Sequence, residues 1–158
     1  MNPKLTALFA EYGQAHQHPT NQLTHKLAIP MIVFHIIAML DWVTLTTLPN
    51  NFRITAGMVF LPLCAVWYLK MSVKLGVIIL AAAALSFPLG RMLPWWAIVT
   101  IAAGGWLIQL AGHVVWEKKS PSFLTNLVHA LVGPAFFVAK LTGDWPARSS
   151  TLAPAASA

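Results

Sequence analysis

Polar and apolar positions along the chain fall into two regimes. From residue 3 to 17 the apolar residues recur at helical spacing, with Leu5, Leu8, Phe9, Tyr12 and His16 on one face. This pattern predicts a short amphipathic helix of the kind that lies on a bilayer surface. Pro19 is expected to end it, and Asn21 is placed to cap the helix that follows. Beyond that point polar positions become rare, and five apolar segments emerge at roughly 27–47, 54–69, 75–90, 95–114 and 122–140. Charges and prolines punctuate them: Arg53, then Lys70 and Lys74, then Arg91 and Pro94, then Glu117, Lys118 and Lys119.

Segments two and three have 16 uncharged residues each, about 24 Å of helix at 1.5 Å per residue. Flanking Lys and Arg side chains can extend them toward a hydrocarbon core of about 30 Å. The short gap at 70–74 predicts an antiparallel hairpin of these two helices. Segment five opens with Ser120-Pro121, a capping residue followed by proline, and carries Asn126, His129 and Pro134, so it either crosses or re-enters. The fold class is therefore all-α: a polytopic transmembrane helical bundle of four to five membrane segments with an N-terminal amphipathic interfacial helix. Residues 1–146 form a single integral membrane domain, and the tail at 147–158, rich in Ala, Ser and Pro, is expected to be disordered.

Composition agrees with that pattern. Hydrophobic residues make up 58% of the 158 and charged ones only 9%, where a soluble domain is about a quarter charged. The net charge of +6 is scattered among segment ends, which suits anionic lipid headgroups and argues against nucleic acid. Cys64 stands alone in an apolar run, so there is no disulfide framework. The first 27 residues lack the apolar core of a signal peptide. With the N-terminus inside, the cytoplasmic side holds Lys4, Lys26, Lys70, Lys74, Lys118 and Lys119. The other side holds Arg53, Arg91, Lys140 and Arg148 if all five segments span. The positive-inside rule favours that orientation, and Trp95, Trp96, Trp116 and Trp145 near segment ends suit an aromatic belt.

This topology brings distant histidines to one depth. His16 and His25 precede or open the first span, His113 closes the fourth, and His129 lies two turns into the fifth. All four would share a band near the cytoplasmic surface. Each also has a plain reading: solvation for His16 and His18, an interfacial polar residue for His25, a helix–helix bond for His129. Gln109, His113 and Glu117 form an i, i+4, i+8 stripe, which serves either as a hydrogen-bond seam or as a metal or acid–base stripe. His35 and Asp41 lie in low-dielectric surroundings where ionisable groups default to functional hypotheses, though a structural Asp41 is the simpler expectation.

Taken together, the histidines point to a metal. Imidazole suits iron, zinc and copper, and there is no cysteine pair for a thiolate site. Glu117 would either ligate directly or orient His113. A ferrous site with open positions binds both oxygen and a chelating substrate. Neither a Gly-x-Ser-x-Gly nucleophile nor a phosphate-cradling glycine loop occurs.

Two motifs then carry a family resemblance. The first runs Glu11-Tyr12, His16, Asn21, His25 and Pro30. The second runs Gln109, Gly112-His113, Trp116-Glu117-Lys118 and Pro121, followed by Asn126-Leu127-Val128. Over residues 11 to about 140 the chain resembles the fungal 2-hydroxy fatty acid dioxygenase family, membrane proteins of the endoplasmic reticulum with many bacterial relatives. The resemblance implies Fe(2+)-dependent α-oxidation, in which a 2-hydroxy fatty acid and O2 give an acid one carbon shorter. By motif position it implies His16, His25 and His113 as iron ligands, with Asn21, Glu117 and Tyr12 as further site residues. His129, where fungal members are expected to have glutamine, becomes a possible fourth ligand. The compact length suits a bacterial member, placed in the inner membrane with the histidines at the cytoplasmic face, or in the endoplasmic reticulum if the source is eukaryotic. Two competing classes stand beside the enzyme: a metal or proton transporter using His35 and Asp41 in a relay, and a structural membrane protein whose histidines only pack helices.

Overall fold

The computed structural model describes residues 1–124 and 126–145; the tail expected to be disordered lies outside the described residues. The first helix, α1 (Pro3–Gln14), is capped by Asn2, whose side chain accepts from the Lys4 N–H at 2.9 Å. Its apolar face, Leu5, Phe9 and Tyr12, is buried rather than turned to lipid. Phe9 meets Phe136 edge-on at 5.5 Å and Trp145 at 5.2 Å, contacts that fasten α1 to the bundle through aromatic packing.

Helix α1 stops at Gln14, three residues short of the predicted end, and Pro19 opens the next helix instead of closing this one. Proline's fixed φ and missing N–H suit the first turn, and its ring keeps the preceding residue extended. His18 is therefore the N-cap of α2 (Pro19–Trp42), its ring accepting from the Thr20 N–H at 3.2 Å. Asn21, expected to cap, lies inside the helix and is free for other work.

Helix α2 also ends early, at Trp42. The following Thr44–Thr47 forms β1 and pairs antiparallel with β2 (Arg53–Thr55) around a turn in which Asn51 has φ of 62°. A run of β-branched threonines prefers this extended form to helix. Among the described residues the regular structure is thus helical apart from one small hairpin. Helices α3 (Ala56–Met71) and α4 (Val73–Met92) are separated only by Ser72, whose hydroxyl accepts from the Leu75 N–H, and they form the antiparallel pair. Helix α5 (Trp95–Ala111) packs along α2, with Gly105 so close that an added Cβ would lie 3.1 Å from Met31 Cβ. It continues into a π-helical turn, Gly112–Glu117, which stops where Lys118 turns left-handed at φ 53°. A 3-10 turn at Ser122–Leu124 precedes α6 (Val128–Thr142).

The contacts divide the bundle into two ends. At one end Asn2 donates to Met71, Glu117 bonds residues 17 and 18, Lys140 bonds Gln22, and Asp144 pairs with Lys74. At the other, Asp41 at the close of α2 meets Thr55 and Arg91. The chain between Glu117 and Lys140 therefore leaves one end and returns to it. Segment five does not run through to the far end, and Lys140 sits with Lys74 rather than opposite it. The Ser120-Pro121 helix start is not used: Phe123 packs on Trp106 midway along α5 at 5.7 Å, and α6 climbs back from that depth. Among the described residues, three helical stretches are long and apolar enough to cross a membrane, Pro19–Trp42, Val73–Met92 and Trp95–Glu117; α3 and α6 are shorter and apolar.

Candidate metal centre

Three elements converge at the first end. The loop after α1 supplies His16, the second turn of α2 supplies His25, and the π-helical turn supplies His113. All three rings are buried, at 1%, 0% and 1% exposure. Their ring centroids lie 4.7–4.8 Å apart, and one nitrogen from each lies within 4.8 Å of the others. His25 Nε2 is 3.2 Å from His16 Nε2 and 3.0 Å from His113 Nε2. Two imidazole nitrogens on one ion at about 2.1 Å each stand roughly 3.0–3.4 Å apart, so the spacing matches a shared cation.

The tautomers sharpen this fit. His16 Nδ1 is 2.7 Å from the Tyr12 carbonyl, and His25 Nδ1 is 2.8 Å from the Asn21 carbonyl. A carbonyl only accepts, so each Nδ1 must carry the proton. Both Nε2 lone pairs then face inward across 3.2 Å, and no hydrogen bond can form between them. Burial also keeps His16 neutral, pushing its pKa down to about 4 against the opposing pull of the Tyr12 carbonyl and Glu117. Converging lone pairs on neutral, buried imidazoles are a donor set for a transition-metal ion.

Other side chains fix these rings. Tyr12 stacks on His16 at 3.9 Å and 13°, and burial pushes its phenol pKa up. Phe137 stacks on His25 at 5.7 Å. Glu117 is not turned toward the imidazole nitrogens. Its Oε1 accepts from the Gln17 N–H at 2.9 Å, and its Oε2 accepts from the His18 N–H and Asn21 Nδ2, each at 3.0 Å. The carboxylate thus pins the His16 loop to α2 and to the turn that carries His113. Asn21 joins the same clamp through its amide while its carbonyl holds His25. Gly112 makes the approach possible: an added Cβ there would collide with Thr24 Oγ1 and lie 2.5 Å from Asn21 Oδ1.

His129 stands apart from the trio. It is buried at 4% exposure, edge-on to Tyr12 at 5.8 Å, with Nε2 3.4 Å from the Glu11 carboxylate. Gln109, which the sequence offers as a member of the stripe and as the first residue of the second motif, places its Nε2 2.7 Å from His25 Nε2, and among the described residues its buried Oε1 has no partner. The i, i+4 spacing to His113 was the signal that placed it. Phe137 carried none.

His35 and Asp41 are occupied elsewhere. His35 Nδ1 bonds the Met31 carbonyl at 3.0 Å, and its Nε2 accepts from Trp106 at 3.3 Å. Asp41 takes two bonds from Arg91, at 2.7 and 3.0 Å, and one from Thr55 at 2.9 Å. Among the described residues no hydrogen bond joins either of them to the histidine cluster.

Comparison with known proteins was consistent with the motifs. Residues 3–145 match the family model described as 2-hydroxy-palmitic acid dioxygenase Mpo1-like. The chain is 28% identical over 129 residues to the 2-hydroxy-palmitic acid dioxygenase MPO1 of Saccharomyces cerevisiae, covering 80% of this chain and 72% of the yeast protein. No solved structure matches. The buried histidines and the clamp around them therefore stand in a chain that belongs to the 2-hydroxy-palmitic acid dioxygenase Mpo1-like family.

Proposed function

We propose that this protein is a membrane-embedded, Fe(2+)-dependent dioxygenase that shortens 2-hydroxy fatty acids, or closely related lipids, by one carbon. The observation that carries the reading is the set of three buried imidazoles with inward-facing nitrogens, held by hydrogen bonds that fix two of their tautomers. A ferrous ion bound by His16, His25 and His113 would supply open coordination positions for O2 and for a chelating hydroxy-carboxylate. The protein's own part is positional. Two backbone carbonyls hold the protons on Nδ1 of His16 and His25, Tyr12 backs the His16 ring, and the Glu117–Asn21 clamp keeps the loop closed over the site. The clamp residues act on ring orientation, the kind of support that tunes metal sites. Burial of the cluster keeps bulk water from the reacting carbons.

In this reading α2, α3, α4 and α5 cross the bilayer, α1 lies at the interface, and the stretch from Glu117 to Lys140 re-enters. Lys4, Lys70, Lys74, Lys118, Lys119 and Lys140 then share the histidine end, while Arg53 and Arg91 occupy the other. That bias orients the cluster toward the cytoplasm of a bacterial inner membrane.

The test is anaerobic iron reconstitution of purified protein, followed by oxygen and mass spectrometry of products from 2-hydroxy fatty acids. Wild type is expected to bind one iron and to yield the acid one carbon shorter, and His113→Ala to do neither. Iron-loaded wild type that gives no shortened acid would reject the reaction. A His113→Ala variant with full iron and turnover would reject the site.

A further inference from the structure

A lateral groove of about 310 Å³ runs between α2, α4 and α6 and begins beside His25, one of the three clustered histidines. His25 and its stacking partner Phe137 form one end of the wall, with Lys26 beside them; Phe34, Ser86 and Leu89 lie at the other end. From His25 to Phe34 the path covers nine residues of helix, about 13 Å. Beyond Lys26 the lining has no charged side chain. Among the described residues Lys26 has no carboxylate partner. The outer rim, including Pro30, Ala82 and Leu85, is exposed on the sides of helices long and apolar enough to span a bilayer.

Two smaller cavities of about 130 Å³ each flank it. One lies among Tyr12, Trp106, Phe123 and His129, the other among Cys64, Tyr68 and Leu131. Neither is walled by His16, His25 or His113. The α2–α4–α6 groove alone among these three joins a triad histidine to an opening at membrane depth. One exposed cation at its His25 end and apolar walls beyond match an amphiphile with a single anionic head and an apolar chain.

We propose that this groove receives the acyl chain of a 2-hydroxy acid directly from the bilayer, with the head between His25 and Lys26 and the chain running along Ala82 and Ser86. The inference rests on the reading above for the identity of the head and adds the route, the chain-binding surface and the residues that set chain length.

Its test is photolabelling of the protein in lipid nanodiscs with 2-hydroxyhexadecanoic acid bearing a mid-chain diazirine, followed by peptide mapping. Adducts are expected on α4 between residues 79 and 89 and on α2 between 29 and 34. They should fall at least about tenfold in Ala82→Trp, a loss of the size expected for a blocked apolar subsite. Leu89→Ala, which widens the groove, should keep or raise them and guards against a folding artefact. In the turnover assay Ala82→Trp should shift preference toward shorter chains. Adducts concentrated around Trp106 and Phe123 or around Cys64, or labelling unchanged by Ala82→Trp, would overturn the groove while leaving one-carbon shortening standing. Groove labelling without any shortened product would overturn the reaction and leave the groove intact.

Discussion

The two ends of this bundle both bury ionisable side chains, and they solve the problem in opposite ways. At the far end Asp41, 6% exposed, accepts from Arg91 twice and from Thr55 once. Opposite charges are matched and both carboxylate oxygens are occupied, so nothing further is required. At the near end His16 and His25 direct lone pairs at each other, with their protons committed to backbone carbonyls. Gln109 Nε2 donates to the His25 lone pair at 2.7 Å, but among the described residues no donor faces the His16 lone pair. A closed polar network holds a fold together, whereas a buried one with an unanswered lone pair marks a place where something binds.

The contrast can be broken at either end. Arg91→Ala should have the largest effect on folding, because it leaves Asp41 buried without its partner. A fully buried pair loses about 3–5 kcal/mol on such a cut. Arg91 is half exposed, so solvent screening reduces the expected loss to about 2 kcal/mol. Thermal unfolding in detergent would read it, and iron content should not change. A drop in iron stoichiometry equal to that of His113→Ala would show that the two ends are not independent.

Glu117→Gln tests the clamp. The amide keeps one acceptor but turns an NH2 group toward either the two donors on Oε2 or the one on Oε1. Iron affinity, measured by chelator competition, is expected to fall about 10- to 100-fold, the range for residues that orient metal ligands. Unchanged affinity would reduce Glu117 to a loop fastener with no bearing on the histidines.

The smallest effect belongs to His35→Ala. It removes the acceptor of Trp106, a bond between two membrane helices worth about 0.6 kcal/mol on average. Unfolding should shift slightly, while iron binding and turnover stay at wild-type levels. Loss of turnover with iron retained would revive a relay through the bundle.

Much of this molecule was legible in the chain. The amphipathic spacing of Leu5, Phe9 and Tyr12 gave a helix with one buried face, and the Lys70–Lys74 gap gave the α3–α4 turn. His16, His25 and His113 stood out because the order of apolar segments brings them to one depth and because they fall in two motifs. What periodicity misread were the boundaries. Pro19 opens a helix rather than closing one, which moves the cap from Asn21 to His18. Thr44–Thr47 counts as apolar-compatible in a segment tally but adopts β structure, because the preference of threonine is steric and local.

By itself, then, the sequence determined the helical class, the apolar surface and the residue types able to hold a metal, since these follow from composition, period and side-chain chemistry. Only the tertiary structure decided that Glu117 clamps a loop, that His129 faces Glu11 rather than the trio, and that the last helix returns to its starting end. Those outcomes depend on which backbone donors and which neighbouring helices come within a few ångströms. Such distances are set by packing across residues up to a hundred positions apart, as between Gln17 and Glu117, and no local pattern encodes them.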